Sequence, residues 1–256
     1  MLIAPTDRAL LWALVVRNIK VRYQRSILGV IWALLNPVLI ILCLIAVFTY
    51  VVRIPLQDYW AFLLSGYFAW VYFAHTVSTS VTILREHSQL IRSVRFPPVL
   101  LVWSNAISRG IEFAIEITLV AVVLAFVRHD GVPASYALIP LAALILMLLT
   151  VAFALPVAAV GVFFHDTQHG LPVLLTALGY ISPVFYSLYM VPETLRAWFL
   201  VLNPLTRVFP LFHAILYEGR VPPWFAWVMA GTLAWALCVV GHAAFRWRRP
   251  VFAEVV

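Results

Sequence analysis

The sequence predicts an all-α polytopic membrane protein. It has six transmembrane helices, an N-terminal amphipathic interface helix, and an external re-entrant helical pair between spans five and six. Three observations predict it. Of the 256 residues, 64% are hydrophobic and only 11% charged, where a soluble domain carries about 25% charged residues. Apolar runs at roughly 27–52, 59–84, 99–127, 136–163, 170–190 and 224–245 approach the ~20 residues that cross a bilayer. Charge is confined to short segments between these runs, of which Arg85–Pro98, REHSQLIRSVRFPP, is the clearest island. No polar stretch is long enough to build a soluble domain, so residues 1–256 form a single transmembrane domain.

The first element, Thr6 to Tyr23, is too polar to span. Leu10, Leu11, Leu14, Val15, Asn18, Ile19 and Arg22 recur at steps of three and four, with Arg8, Arg17, Lys20 and Arg25 on the flanks. That pattern predicts an amphipathic helix over 6–23, capped by Thr6 or Asp7 and lying in the cytoplasmic interface. No cleavable signal is expected, because no small-residue cleavage site follows a short apolar core. Orientation follows from basic residues near span ends. With the N-terminus inside, cytoplasmic segments hold eleven Arg and Lys against five outside. Both termini are therefore expected in the cytoplasm.

The island at 85–98 is expected to form a short cytoplasmic helix that a partner can grip. Span three carries Arg109, Glu112 and Glu116, which share one helical face. At 1.5 Å per residue, Arg109 falls about 27 Å and Glu116 about 16 Å from the outer end. Arg109 and Glu112 form a candidate structural ion pair, while Glu116 stands near mid-membrane, where a carboxylate usually faces a cavity or bundle interior. Residues 190–222 are apolar yet punctuated by Pro192, Pro204, Pro210 and Pro222. Two half-helices, about 193–202 and 205–217, are expected to dip into the outer leaflet and return, shielded by protein or lining a cavity.

Net charge is +7, which in a soluble protein suggests nucleic acid. Here the basic residues sit at span ends, so they orient the chain and meet anionic headgroups; no nucleic-acid partner is expected. Cys43 and Cys238 read as small buried hydrophobes. The histidines are dispersed, no catalytic constellation is found, and His165, Asp166 and His169 are a weak metal set; neither catalytic residue nor metal is expected. No GxxxxGK[ST] phosphate cradle occurs, so no nucleotide site is expected in this chain.

Four ordered motifs carry a resemblance. The first is Lys20, Arg22, Tyr23, Gln24, Arg25, Ser26, Leu28, Gly29, Trp32, Leu35, Asn36, Pro37. The second is Leu90, Ile91, Arg92, Arg95, Phe96, Pro97. The third is Phe163, Phe164, Asp166, Gln168, His169. The fourth is Ser182, Pro183, Val184, Phe185, Tyr186, then Val191, Pro192, Glu193, then Asn203, Pro204, Leu205. In this order they resemble the permease subunit of type-2 ABC exporters, the group that exports polysaccharides. One departure is His165, where the family pattern usually has Arg before the Asp, so a titratable group replaces a fixed cation.

The resemblance implies a homodimer of six-span subunits in the bacterial inner membrane, with two separate ATPase subunits docked beneath that bind ATP and Mg. A lipid-linked polysaccharide leaves through the dimer interface. Arg85, Glu86, His87, Gln89, Leu90, Ile91 and Arg92 are then candidates for coupling to the ATPase, with Leu90 and Ile91 as an apolar knob. Aromatic faces suit sugar rings, so Tyr67, Trp70, Tyr72 and Phe73 of span two and Tyr180, Phe185 and Tyr186 at the end of span five are candidates for the pathway, with Glu116. Interfacial belts and core packing are the competing explanation for those rings. Three other functions stay open on the sequence: a type-2 exporter of drugs or small lipids, a proton-coupled secondary transporter using Glu116, and a membrane enzyme acting on lipid-linked sugars.

Overall fold

The fold is known from a computed structural model, which describes residues 5–23, 31–51, 58–93, 96–128 and 131–255. Gln24, Arg25, Ser26, Leu28 and Gly29 of the first motif, Arg53 and Arg95 lie outside them, as does the side chain of Arg92. Among the described residues the chain is helical, with no strand.

The helices are α1 (Pro5–Tyr23), α2 (Trp32–Ala46), α3 (Tyr59–Ser80), α4 (Ile83–Glu86), α5 (Ser88–Ser93), α6 (Val99–Arg128), α7 (Ile139–Phe163), α8 (Thr167–Ile181), α9 (Glu193–Leu202), α10 (Phe209–Phe212) and α11 (Trp224–Val255). Looser turns extend α2 to Val51 and α10 to Tyr217.

The central helix is α7, with α11 against it along its length and α3 and α6 beside it. Its small residues explain the close fit. A methyl group on Gly241 of α11 would sit 2.6 Å from the Ala152 carbonyl oxygen, so the two backbones meet as small residues allow in lipid. Two apolar cores result. One joins α3, α6 and α7 to the α9–α10 region through Phe68, Phe73, Ile117, Leu146, Phe209 and Phe212. The other joins α1, α4, α5 and the last turns of α11 through Leu14, Leu84, Ile91, Leu101, Phe245 and Phe252. That second core marks the end of the molecule holding both termini.

The first prediction shifts in one respect. The stripe on α1 is present: Leu14 and Val15 are buried, while Arg17 and Lys20 off that face are exposed. But the stripe faces α6. The Asn18 amide donates to the Ser104 hydroxyl at 3.3 Å, and Arg22 pairs with Glu112. Periodicity identifies the face that is covered, not what covers it.

Three helical segments, Val99–Val127, Ala134–Phe163 and Trp224–Arg248, are long and apolar enough to cross a membrane alone. The other runs fall short for local reasons. The apolar helix Leu35–Val51 is the described part of the first run. Along α3, Ser65, His75, Thr76, Ser78, Thr79 and Ser80 dilute the apolar surface. In α8 the helix stops at Ile181 with Ser182 extended, because the residue before Pro183 is driven out of helical conformation. Its 15 residues rise about 22 Å.

Buried Asn105 of α6 and Thr150 of α7 find partners. The Asn105 amide reaches the Thr76 carbonyl at 3.3 Å and the hydroxyls of Thr79 and Ser80 at 3.0 and 3.3 Å. Thr150 turns its hydroxyl back on the Leu146 carbonyl at 2.7 Å, a usual resolution for a buried hydroxyl in a helix.

Candidate functional site: an aromatic cleft and a charged cavity on two flanks of one helix

Helix α3 separates two cavities. The larger, about 440 Å³, runs between α3 and α8. Tyr67, Trp70, Val71, Ala74, His75 and Ser78 line it from α3, at steps of three and four that define one helical stripe. Pro172, Leu175, Thr176, Gly179 and Tyr180 line it from α8, and Phe185 closes it. Gly179 is required here: an added methyl carbon would lie 2.7 Å from the Trp70 ring. Tyr180 and Phe185 meet at 5.8 Å between ring centres, and Tyr180 is largely exposed. Rings, hydroxyls and an imidazole along one open trough give apolar faces beside hydrogen-bonding edges.

Four sequence candidates thus come together: Tyr67, Trp70, Tyr180 and Phe185. Tyr186 lies just beyond, its hydroxyl donating to the Ile181 carbonyl at 2.7 Å. Two others do not join them. Phe73 is fully buried, edge-on to Phe153 at 5.5 Å, so in this conformation it is core and lines no path. Tyr72 points to the opposite flank, stacked on Phe113 at 5.2 Å with its hydroxyl donating to the Ala106 carbonyl at 3.2 Å. Helical rotation of 100° per residue separates these neighbours in sequence.

On that other flank is a cavity of about 140 Å³ between α2, α3 and α6. Trp32, Asn36 and Pro37 line it from α2, Tyr72 and His75 from α3, and Arg109, Glu112 and Glu116 from α6. The three charged residues of α6 do share a face, as their spacing predicts. Sequence reasoning missed Arg22, which reaches Glu112 from α1, and His75, which borders both cavities. Asn36 and Pro37, quoted only for their motif, end up in this polar wall.

Residues 83–93 form two short helices, α4 and α5, broken at His87, rather than one. The Arg85 guanidinium donates to Gln168 at 3.2 Å, joining the charged island to the third motif. Glu86 is exposed and accepts from the Thr82 hydroxyl at 2.6 Å. His87 Nδ1–H donates to the Ile83 carbonyl at 2.9 Å. Gln89 is exposed and Leu90 half-buried. Ile91 corrects the expectation of an outward apolar knob: it is buried against Leu84, Phe96 and Leu101 in the core near the termini, because its side chain gains more there than in water.

At the opposite end the fourth motif closes on itself. The chain bends by 106° between α9 and the segment Pro204–Tyr217. Asn203, at the bend, accepts from the Leu205 amide at 3.0 Å and donates to the Ser182 hydroxyl at 2.8 Å. His213 lies flat on Phe62, ring centres 4.0 Å apart. Its Nε2 faces the Pro183 carbonyl at 3.0 Å and its Nδ1 the Ser65 hydroxyl at 2.6 Å. A carbonyl only accepts, so Nε2 carries the proton; the Ser65 hydroxyl sits 2.6 Å from Nδ1 and donates to the Phe62 carbonyl at 2.6 Å. Tyr59 adds a bond to the Phe185 carbonyl at 2.7 Å.

Helices long and apolar enough to cross a bilayer, with a bent apolar pair at one end, put the chain in the class of helical membrane proteins. The ABC-2 type transporter family matches residues 9–217, and the chain belongs to it. It is 31% identical over 250 residues to the O-antigen export system permease protein RfbA of Myxococcus xanthus, covering 97% of this chain and 96% of that protein. The same-named protein of Klebsiella pneumoniae is 26% identical over 243 residues, covering 94% and 92%. The polysialic acid transport protein KpsM of Escherichia coli is 24% identical over 212 residues, covering 82% and 81%.

Proposed function

We propose that this chain is the permease subunit of an ABC exporter that moves a lipid-linked polysaccharide across the bacterial inner membrane. The observation that carries this reading is the near full-length match to relatives named for O-antigen export. In this reading α2, α3, α6, α7, α8 and α11 are the six spans, both termini are cytoplasmic, and the α9–α10 pair is an external re-entrant gate. Two copies form the pathway between them. The uncovered faces of the peripheral helix α8, with Val173, Leu174 and Tyr180 exposed, support that arrangement, and the α3–α8 trough supplies rings for sliding sugars. Separate subunits bind ATP and Mg and push on Arg85, Glu86, His87 and Gln89, with Arg92. The bond from Arg85 to Gln168 would carry that push to α8, beside the trough. Arg109 and Glu112 form the structural part of the charged cavity, and Glu116 its pathway part.

The test is reconstitution in vesicles with a lipid-linked polysaccharide. Export and ATP hydrolysis are expected only after a nucleotide-binding subunit is added. Hydrolysis by the chain alone, or export driven by a proton gradient without that subunit, overturns the reading.

A further inference from the structure

A third cavity, about 470 Å³, lies away from both flanks of α3, between α1, α6, α7 and α11. Leu100, Leu148, Trp235 and Val239 form an apolar wall. Trp235 is 65% and Val239 48% exposed, so the groove opens sideways on the surface of the bundle rather than into its centre. From Trp235 to Arg246 it runs about 16 Å along α11, close to half of a ~30 Å hydrocarbon layer. It therefore has the length of one leaflet.

Its polar groups fall into two kinds. Trp103 Nε1–H donates to His242 Nε2 at 3.1 Å. Indole only donates, so His242 carries its own proton on Nδ1, which donates to the Cys238 carbonyl at 2.9 Å. This pair is satisfied within the protein and asks nothing of a ligand. The remaining two are Asp7, from the start of α1, and Arg246, near the end of α11. One acid and one base thus share the mouth of an apolar groove at the end that holds the termini.

We propose that this groove binds one phosphatidylethanolamine molecule. Its acyl chains lie along Leu148, Trp235 and Val239, Arg246 holds the phosphate, and Asp7 accepts from the primary ammonium. The charge pattern selects this headgroup. A net-anionic phospholipid would meet Arg246 but be repelled by Asp7. A choline headgroup offers no N–H to a carboxylate, whereas an ammonium has three. The inference does not depend on the cargo the chain exports.

The experiment equilibrates the purified full chain with an equimolar mixture of phosphatidylethanolamine, phosphatidylglycerol and phosphatidylcholine. Retained lipid is then counted by headgroup in native mass spectrometry. Wild type is expected to favour phosphatidylethanolamine over phosphatidylcholine by about tenfold, the worth of one charge-assisted hydrogen bond. Asp7→Asn should abolish that preference, and Arg246→Gln should cut retention of all three lipids. If Arg246→Gln does not insert, Arg246→Lys, which keeps the charge, should retain lipid as wild type does, and Asp7→Asn alone carries the headgroup reading. A preference for phosphatidylglycerol, equal retention of the three lipids by wild type, or an unchanged preference in Asp7→Asn overturns the proposal.

Discussion

The two ends of the molecule are held together by different chemistry. At the bent-pair end the buried ties are neutral: Ser65, His213 and Pro183, with Asn203 on Ser182; the ion pair there, Arg220 with Glu218, lies on the surface. Toward the end with the termini the ties carry charge and are partly exposed: the Arg22–Glu112 ion pair, and the bond from the Arg85 guanidinium to the Gln168 amide. Neutral hydrogen bonds in a low-dielectric interior are costly to leave unmade, so they favour one arrangement. Ion pairs near water lose part of their worth to solvent and are easier to exchange for a partner's groups. The difference suggests, as a hypothesis, a fixed outer closure and an inner surface ready to be moved.

The largest break in this comparison is expected from Asn203→Leu. It removes a donor to the Ser182 hydroxyl, which keeps its bond to the Leu178 carbonyl, and leaves the buried Leu205 amide without its acceptor, a loss of about 2–4 kcal/mol. Thermal unfolding in detergent should show it, and reconstituted protein should leak small solutes. An unchanged melting temperature with an intact seal would remove the bend from any gating role.

Gly179→Val sharpens the comparison at the trough. The added side chain must displace the Trp70 indole, at an overpacking cost of about 1–3 kcal/mol, and export should fall more than stability does. Export equal to wild type would show that the trough carries no cargo.

The smallest stability effect is expected at the opposite end. Arg85→Ala removes one half-exposed bond to Gln168, worth about 0–1 kcal/mol. Yet it should uncouple ATP hydrolysis from export if this surface receives the push. Full coupling in Arg85→Ala and Gln168→Ala would shift the docking surface to other residues.

Much of the architecture was legible because bilayer physics is simple. Helix existence followed from apolar runs, and the α1 stripe from its three-and-four spacing. What the sequence left hidden were pairings across space. Arg22 lies 90 positions before Glu112, and no local pattern names that partner. The aromatic cluster of α3 was legible only in part. Reading it at 100° per residue separates Tyr67 and Trp70 from Tyr72 and Phe73, but which stripe meets α8 depends on packing. The shortness of α8 could have been read, since Pro183 announces it. The inward turn of Ile91 could not, because a six-residue helix can present either face.

The contact between Gly241 and the Ala152 backbone has a consequence for biogenesis. Ala152 is synthesised 89 residues before its partner. At about 5–20 residues per second, the small-residue face of α7 waits roughly 5–18 s in the membrane before α11 arrives to cover it. During that interval the nascent chain presents a site to which any other small-residue helix could bind. A chain halted before Trp224 should therefore be cleared by membrane proteases within minutes in a pulse–chase experiment. Survival of that fragment at full-length levels would mean that lipid alone satisfies the uncovered face.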